Sequence, residues 1–146
     1  PSTYSTNSMP TMEGIEVGLN SSGQIANMAW TPRVVAKTTA YTVKAYESGT
    51  VFTTTGATAA VTFTLPAISA GPFYFLFICG ADIGMTITAA TADTAVTFND
   101  LEADSVAFST SAEMIGGSVE VICDGTTLFV LGRIASEAQT VTIATA

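Results

Sequence analysis

One stretch near the end of the chain, residues 118–132, constrains the fold more than any other. Two runs rich in β-branched and aromatic residues flank Asp124-Gly125, a dipeptide that tolerates the positive φ angles of a two-residue type I′ turn. The pattern predicts a β-hairpin with Asp124 and Gly125 at its tip. In the predicted register Cys123 lies opposite Thr126, and Val121 lies opposite Leu128.

The two faces of this predicted hairpin differ in chemistry. One is expected to face the core, because it consists of Val119, Val121, Leu128 and Val130. The other face carries Ile122, Phe129 and Leu131, which together are too apolar for a face left wholly to water. We therefore expect a second layer or a second subunit to cover that face, with these three residues as a candidate subunit interface.

Short apolar runs with alternating polar residues continue through the chain, with Gly, Pro, Asp and Asn between them. Their spacing of roughly 8–12 residues is typical of sandwiches, jelly rolls and barrels. No stretch has the 3.6-residue apolar period of a major helix. The sequence predicts an all-β protein in which a jelly-roll-like β-sandwich, residues 36–146, follows an extended N-terminal arm, residues 1–35.

The segment from Ser48 to Ala81 has no charged residue, and hydropathy alone could suggest a membrane span. Pro66 and Pro72 interrupt it, and its densest apolar run, residues 73–79, is far shorter than the roughly 20 residues of a spanning helix. We predict core strands here and no membrane partner. Residues 73–79 are apolar at every position, as expected of a central strand covered on both faces.

Charge is scarce and unevenly distributed. Charged residues make up 11% of the chain and apolar ones 48%, against about 25% charged in typical globular domains, so burial of the surface in an oligomer is expected. The net charge of −8 comes from residues 49–146, where Arg133 stands against nine carboxylates. Because phosphate binding needs clustered Lys and Arg, nucleic acid is not an expected partner.

The N-terminal segment is neutral and has its own organisation. Residues 1–12 are polar and predicted to form an extended or mobile tail, whereas residues 14–19 can form a short strand that needs a sheet edge for pairing. The one tryptophan, Trp30, admits two interpretations. It caps the open end of the chain's own sandwich, or it docks the arm on a partner together with Met28.

Catalytic chemistry is not expected. The chain has no histidine, which excludes Ser-His-Asp and Cys-His sites and most zinc sites. We predict no enzyme activity, no cofactor and no metal. The acidic run at residues 99–104 resembles the start of a calcium loop but lacks the central Gly and final Glu, so it is either a solvated loop or a weak calcium loop.

Three further features leave alternatives open. Cys79 and Cys123 lie in apolar runs and are either free buried thiols or a pair on neighbouring strands. Glycan binding would need aromatic side chains at the surface, for which the sequence offers Tyr4, Trp30, Tyr41 and Tyr46. The N-terminus lacks the basic and apolar regions of a signal peptide, so no secretion is expected.

A resemblance covers roughly residues 41–132. Its elements are the Gly-Ala-Thr run that begins at Gly56, the Leu-Pro pair at Leu65, the aromatic strand 73–78 and the Asp-Gly-Thr-Thr run that begins at Asp124. In order and spacing they resemble β-sandwich domains of tailed-phage virion proteins. These domains include capsid decoration (cement) proteins and domains of head or tail fibres.

The resemblance implies a virion structural protein that catalyses no reaction. One compact domain with a short N-terminal segment is similar to decoration proteins, which sit as trimers on the outside of a shell and tie capsid subunits together. It implies a homotrimer, the major capsid protein as partner, and a location on the capsid exterior after assembly in the host cytoplasm. The candidate capsid-binding arm comprises Ile15, Val17, Met28, Trp30, Pro32 and Arg33. The alternative is a receptor- or glycan-binding module of a head or tail fibre.

Overall fold

The computed structural model describes residues 15–19, 21–22, 25–30 and 32–145. The chain divides into two compact units, with the boundary between Arg33 and Val34. The polar tail predicted for residues 1–12 lies outside the described residues.

The N-terminal unit contains an antiparallel pair of strands, β1 (Ile15–Leu19) and β2 (Ile25–Trp30). Ser21 and Ser22 form a turn between them. The register pairs Ile15 with Trp30 and Val17 with Met28. The strand at residues 14–19 was expected to need a sheet edge, and its partner is the next strand of the chain, which has no clear apolar period.

The larger unit contains eleven strands and two short 3₁₀ turns, at Ala45–Glu47 and Ile68–Ala70. Strands account for 44% of the residues, and no helix in the described part of the chain reaches seven residues, so the all-β prediction is confirmed. The strands are β3 (Val34–Ala36), β4 (Tyr41–Thr42), β5 (Val51–Thr53), β6 (Val61–Thr64), β7 (Phe73–Ile78), β8 (Met85–Thr88), β9 (Ala95–Thr97), β10 (Asp100–Phe108), β11 (Ser118–Cys123), β12 (Leu128–Arg133) and β13 (Val141–Thr145).

The strands form one curled sheet in the order β3-β5-β7-β11-β12-β9-β10-β8-β6-β4, with β13 paired to β10. The curl brings side chains from distant parts of the sheet together. The ring of Phe63 on β6 lies 5.8 Å from that of Phe52 on β5 and 4.9 Å from that of Phe77 on β7. Near the two ends of the sheet, the Lys37 Nζ lies 3.6 Å from the centroid of the Tyr41 ring.

The core follows from strict alternation along these strands. On β7, Phe73, Phe75 and Phe77 are buried, whereas the residues between them are half-buried. The inner face of the β11–β12 hairpin is also buried, as predicted, through Val119, Val121, Leu128 and Val130. Cys79 and Cys123 are free and buried, and burial raises the pKa of the Cys79 thiol to about 11.

The uncharged segment from Ser48 to Ala81 forms strands β5, β6 and β7, which confirms the strand prediction. Among the described residues, no helix has the length and apolar character needed to cross a membrane. The prediction that β7 is covered on both faces is only half right, because its second face stays half-buried.

Local turns set two strand boundaries. Strand β4 ends at Thr42, since residues 45–47 turn into a 3₁₀ helix held by the Glu47 carboxylate, which accepts the Lys44 N–H at 2.9 Å. The acidic run at residues 99–104 is not a loop. A tight turn at Phe98 and Asn99, both with positive φ, starts β10 already at Asp100.

The hairpin register also differs from prediction. Cys123 pairs with Leu128 and Val121 with Val130, so the turn is centred one residue later than Asp124-Gly125. The Asp124 Oδ1 accepts the backbone N–H groups of Thr126 and Thr127 at 2.8 and 2.7 Å, which makes Asp124 the residue before the turn. A shift of the turn by one residue moves the register by two, so each residue keeps its predicted face.

Candidate contact surface

The second face of the β7–β11–β12 part of the sheet points away from the aromatic core. In the ladder, Glu120 lies between Leu76 and Leu131, and Ile122 lies between Tyr74 and Phe129. Ser118 lies between Ile78 and Arg133 in the next row. We call this set the outer sheet face: Tyr74, Leu76, Ile78, Ser118, Glu120, Ile122, Phe129, Leu131 and Arg133.

The apolar side chains of the outer sheet face remain open to solvent. Ile122 is 39% exposed and Leu131 is 42% exposed, whereas their neighbours Val121 and Val130 on the inner face are at most 1% exposed. Leu76, Ile78 and Phe129 are half-buried. The structure thus brings the three predicted interface residues together on one accessible face. Their role as a subunit interface stays a prediction.

Sequence reasoning missed part of this surface. Leu76 and Ile78 extend the surface across β7. On the next strands of the sheet, Val51 pairs with Leu76, and Val34, which is 61% exposed, pairs with Val51. Beyond β12, Val96 pairs with Phe129. The uninterrupted apolar run of β7 was a signal for a second apolar face, but the sequence did not show which strands would stand beside it.

One hydrogen bond crosses the outer sheet face. The Tyr74 hydroxyl donates to the Glu120 Oε2 at 2.8 Å. Burial and then the neighbouring Glu120 carboxylate raise the pKa of Tyr74, while the positive charge of Arg133 opposes the shift. The Glu120 carboxyl group thus lies among apolar side chains, with the Tyr74 hydroxyl on one oxygen and Arg133 in the adjacent row.

A small hollow adjoins the face at the Phe98-Asn99 turn. It has a volume of about 110 Å³ and is lined by Thr97, Phe98, Leu131 and Gly132. The Phe98 ring lies close over Gly132, where an added Cβ would stand 3.0 Å from ring atoms. Phe98 is 52% exposed, so the turn adds a further aromatic side chain beside Leu131.

The predicted arm residues lie partly on the N-terminal strands. Ile15 and Val17 belong to β1, and Met28 and Trp30 belong to β2. Because directly paired positions and positions two apart share one side of a ladder, these four positions share one side of the two-stranded sheet. Pro32 is half-buried and Arg33 is exposed. Nothing in this geometry tests capsid binding.

The remaining sequence candidates are separated in the fold. Among the described residues, no group of three or more Cys, Asp or Glu side chains could hold a metal ion. In the acidic run, the Asp104 Oδ1 accepts the Asp93 N–H at 2.6 Å and the Asp100 Oδ1 accepts the Glu102 N–H at 2.9 Å. These carboxylates therefore serve the backbone of their own loops and strands.

The aromatic candidates for glycan binding have different environments. The Tyr41 ring packs against Phe52, and its hydroxyl donates to the Glu47 Oε1 at 2.8 Å. Tyr46 is 86% exposed and is the most accessible of the candidates whose side chains are described. Tyr4 lies outside the described residues.

The chain was compared with protein-family models and with curated proteins. No family model and no curated protein matches it.

Proposed function

We propose that this chain is a virion structural protein, which binds the outer surface of a phage capsid as a decoration protein and stabilises the shell. The single observation that supports this role best is the outer sheet face, where apolar side chains of three adjacent strands remain accessible. A folded chain with such a face is suited to assembly. That the assembly is a phage capsid is inferred from the sequence resemblance over residues 41–132.

We also propose that the larger unit is a jelly-roll-like β-sandwich. The support is the curl of the sheet, which sets Phe63 on β6 against Phe52 on β5 and Phe77 on β7. In a sandwich, inner faces of two layers interdigitate in this way. Strands β5, β7, β11 and β12 would form one layer, and β6, β8 and β10 the other.

The mechanism of stabilisation would be mass action. Ligands that bind only the assembled shell shift its equilibrium away from dissociation, in proportion to their free concentration and affinity. The outer sheet face would join copies of the chain into a homotrimer. The arm residues Ile15, Val17, Met28, Trp30, Pro32 and Arg33 would contact the major capsid protein.

An electron-microscopy map of the virion that carries this chain tests the proposal. We expect density for the larger unit of this chain on the capsid exterior, at sites that join neighbouring capsid subunits. Density confined to the tail would contradict the decoration role. The double variant Met28→Ser/Trp30→Ser tests the arm separately. It should lower the affinity of the chain for purified shells and leave the melting temperature of the larger unit unchanged.

The second candidate function is a receptor- or glycan-binding module of a head or tail fibre. The observation in its favour is Tyr46, whose ring is almost fully exposed beside the 3₁₀ turn that Glu47 holds. Aromatic rings at a surface can stack on sugars. A glycan array distinguishes the two roles, because a decoration protein should give no specific hits, and Tyr46→Ala should abolish any hit that depends on this ring.

A further inference from the structure

The outer sheet face has a different charge from the rest of the larger unit. The larger unit, residues 34–146, carries ten carboxylates and three bases, Lys37, Lys44 and Arg133. Arg133 lies on the outer sheet face, in the row next to Glu120. Asp124 continues β11 at the hairpin tip, where backbone N–H groups occupy its carboxylate. The central part of the face thus carries one acid and one base, while the larger unit as a whole has an excess of carboxylates.

Within one copy, these two charges are not joined. Glu120 pairs with Leu131, and Arg133 pairs with Ser118, so they are diagonal neighbours at about 7–8 Å between backbones. Among the described residues, Arg133 has no ion-pair partner, and Glu120 receives only the Tyr74 hydroxyl, on Oε2. A carboxylate can accept several hydrogen bonds. Both groups therefore keep capacity for a partner from outside.

Covering the face would remove water from both charges. An unpaired charge buried in an interface is costly, whereas a pair of opposite charges offsets much of that cost. Because carboxylates outnumber bases in the larger unit, most contacts between two copies would bring like charges together. On the outer sheet face, one acid and one base allow a second copy to fit without net repulsion.

We propose that copies of this chain contact each other through the outer sheet face, and that Glu120 of one copy pairs with Arg133 of the next. The apolar residues Leu76, Ile122, Phe129 and Leu131 supply the area of this contact, and the charge pair sets its register. This inference rests on the self-association that the proposed function includes, and it names the partner and the orienting residues.

Charge reversal tests the pairing. Glu120→Arg and Arg133→Glu each place like charges at the contact, and sedimentation velocity should show an association constant lowered at least about tenfold. The double variant Glu120→Arg/Arg133→Glu should return to the wild-type association constant. Tyr74→Phe is the matched control, because it removes the hydroxyl from Glu120 but leaves both charges. Melting temperatures of all variants, measured at a concentration where each is monomeric, verify folding.

Restoration in the double variant could also reflect contacts within one copy, so a mixing experiment separates the two origins. When differently tagged wild type and double variant are mixed, each contact between unlike chains sets Glu against Glu or Arg against Arg. We expect each chain to assemble with itself and not with the other. Free co-assembly, or single reversals that keep the wild-type association constant, would overturn the pairing.

The result is independent of the decoration role. A wild-type chain that stays monomeric yet binds purified shells would overturn this inference and leave the decoration role intact. The reversal pattern without any shell binding would support this inference and contradict the decoration role.

Discussion

Asp124 is an exposed residue whose carboxylate holds the turn of its hairpin. Its carboxylate accepts the N–H groups of Thr126 and Thr127, and these bonds, that of Thr127 foremost, lower the pKa of Asp124 below its ordinary value of 3.8. Gly125 follows with a φ of +93°. Asp124 is therefore the hydrogen-bond acceptor of the turn, and Gly125 is its residue in the left-handed conformation. The sequence predicted the hairpin but not this division of roles.

Asp124→Ala should therefore destabilise the fold, and Asp124→Asn should destabilise it less, because Asn keeps an oxygen acceptor. A group whose pKa is lowered on folding contributes stability above its unfolded pKa and loses it as the pH falls through the folded value. We expect thermal melts at pH 7 and at about pH 2 to show that the difference in melting temperature between wild type and Asp124→Ala is smaller at the lower pH. An equal difference at both pH values would contradict this role of the charge.

At the scale of elements, a buried amide joins the end of β10 to the start of β13. Gln139 is 7% exposed. Its Oε1 accepts the N–H groups of Ser109 and Thr110 at 3.2 and 2.9 Å, and its Nε2 donates to the Thr110 carbonyl at 3.2 Å. The last strand is thereby anchored to the strand with which it pairs.

Gln139→Ala should lower the free energy of unfolding by about 1–3 kcal/mol, because it leaves polar backbone groups without their partners. Chemical denaturation measures this quantity. Glu137→Ala, at an exposed site in the same loop, is the matched control and should change it by less than about 0.5 kcal/mol. Equal effects of the two substitutions would contradict the anchoring role.

The strands that could be predicted are those whose side chains either alternate in chemistry or are apolar throughout. Strand β6 alternates Val and Phe with Thr, and β7 is apolar throughout. Strand β10 begins with Asp, Leu, Glu, Ala and Asp, a pattern that local propensity assigns to a loop. Pairing with β9, β8 and β13 overrides that preference, and such long-range partners are not encoded in a short window of sequence.

At the scale of the whole molecule, the sequence indicated that the hairpin has a second apolar face, and the order of strands determines what surrounds it. Predicting Ile122, Phe129 and Leu131 required only the alternation of one hairpin. Predicting Leu76 and Val34 as their neighbours required knowing that β7 pairs with β11 and that β5 links β7 to β3. This order joins strands far apart in the chain, so no local pattern specifies it.

The proposed contact between copies lies on the outer sheet face. Sedimentation equilibrium of the wild type and of Ile122→Gln/Leu131→Gln tests it most directly, because both side chains are exposed and the exchange adds no charge. The control is Ile115→Gln, at a site that is 63% exposed and is not one of the residues of this face. We expect an oligomeric mass for the wild type and the control, and a folded monomer for the outer-face variant. A monomeric wild type, or an outer-face variant with the wild-type mass, would contradict it.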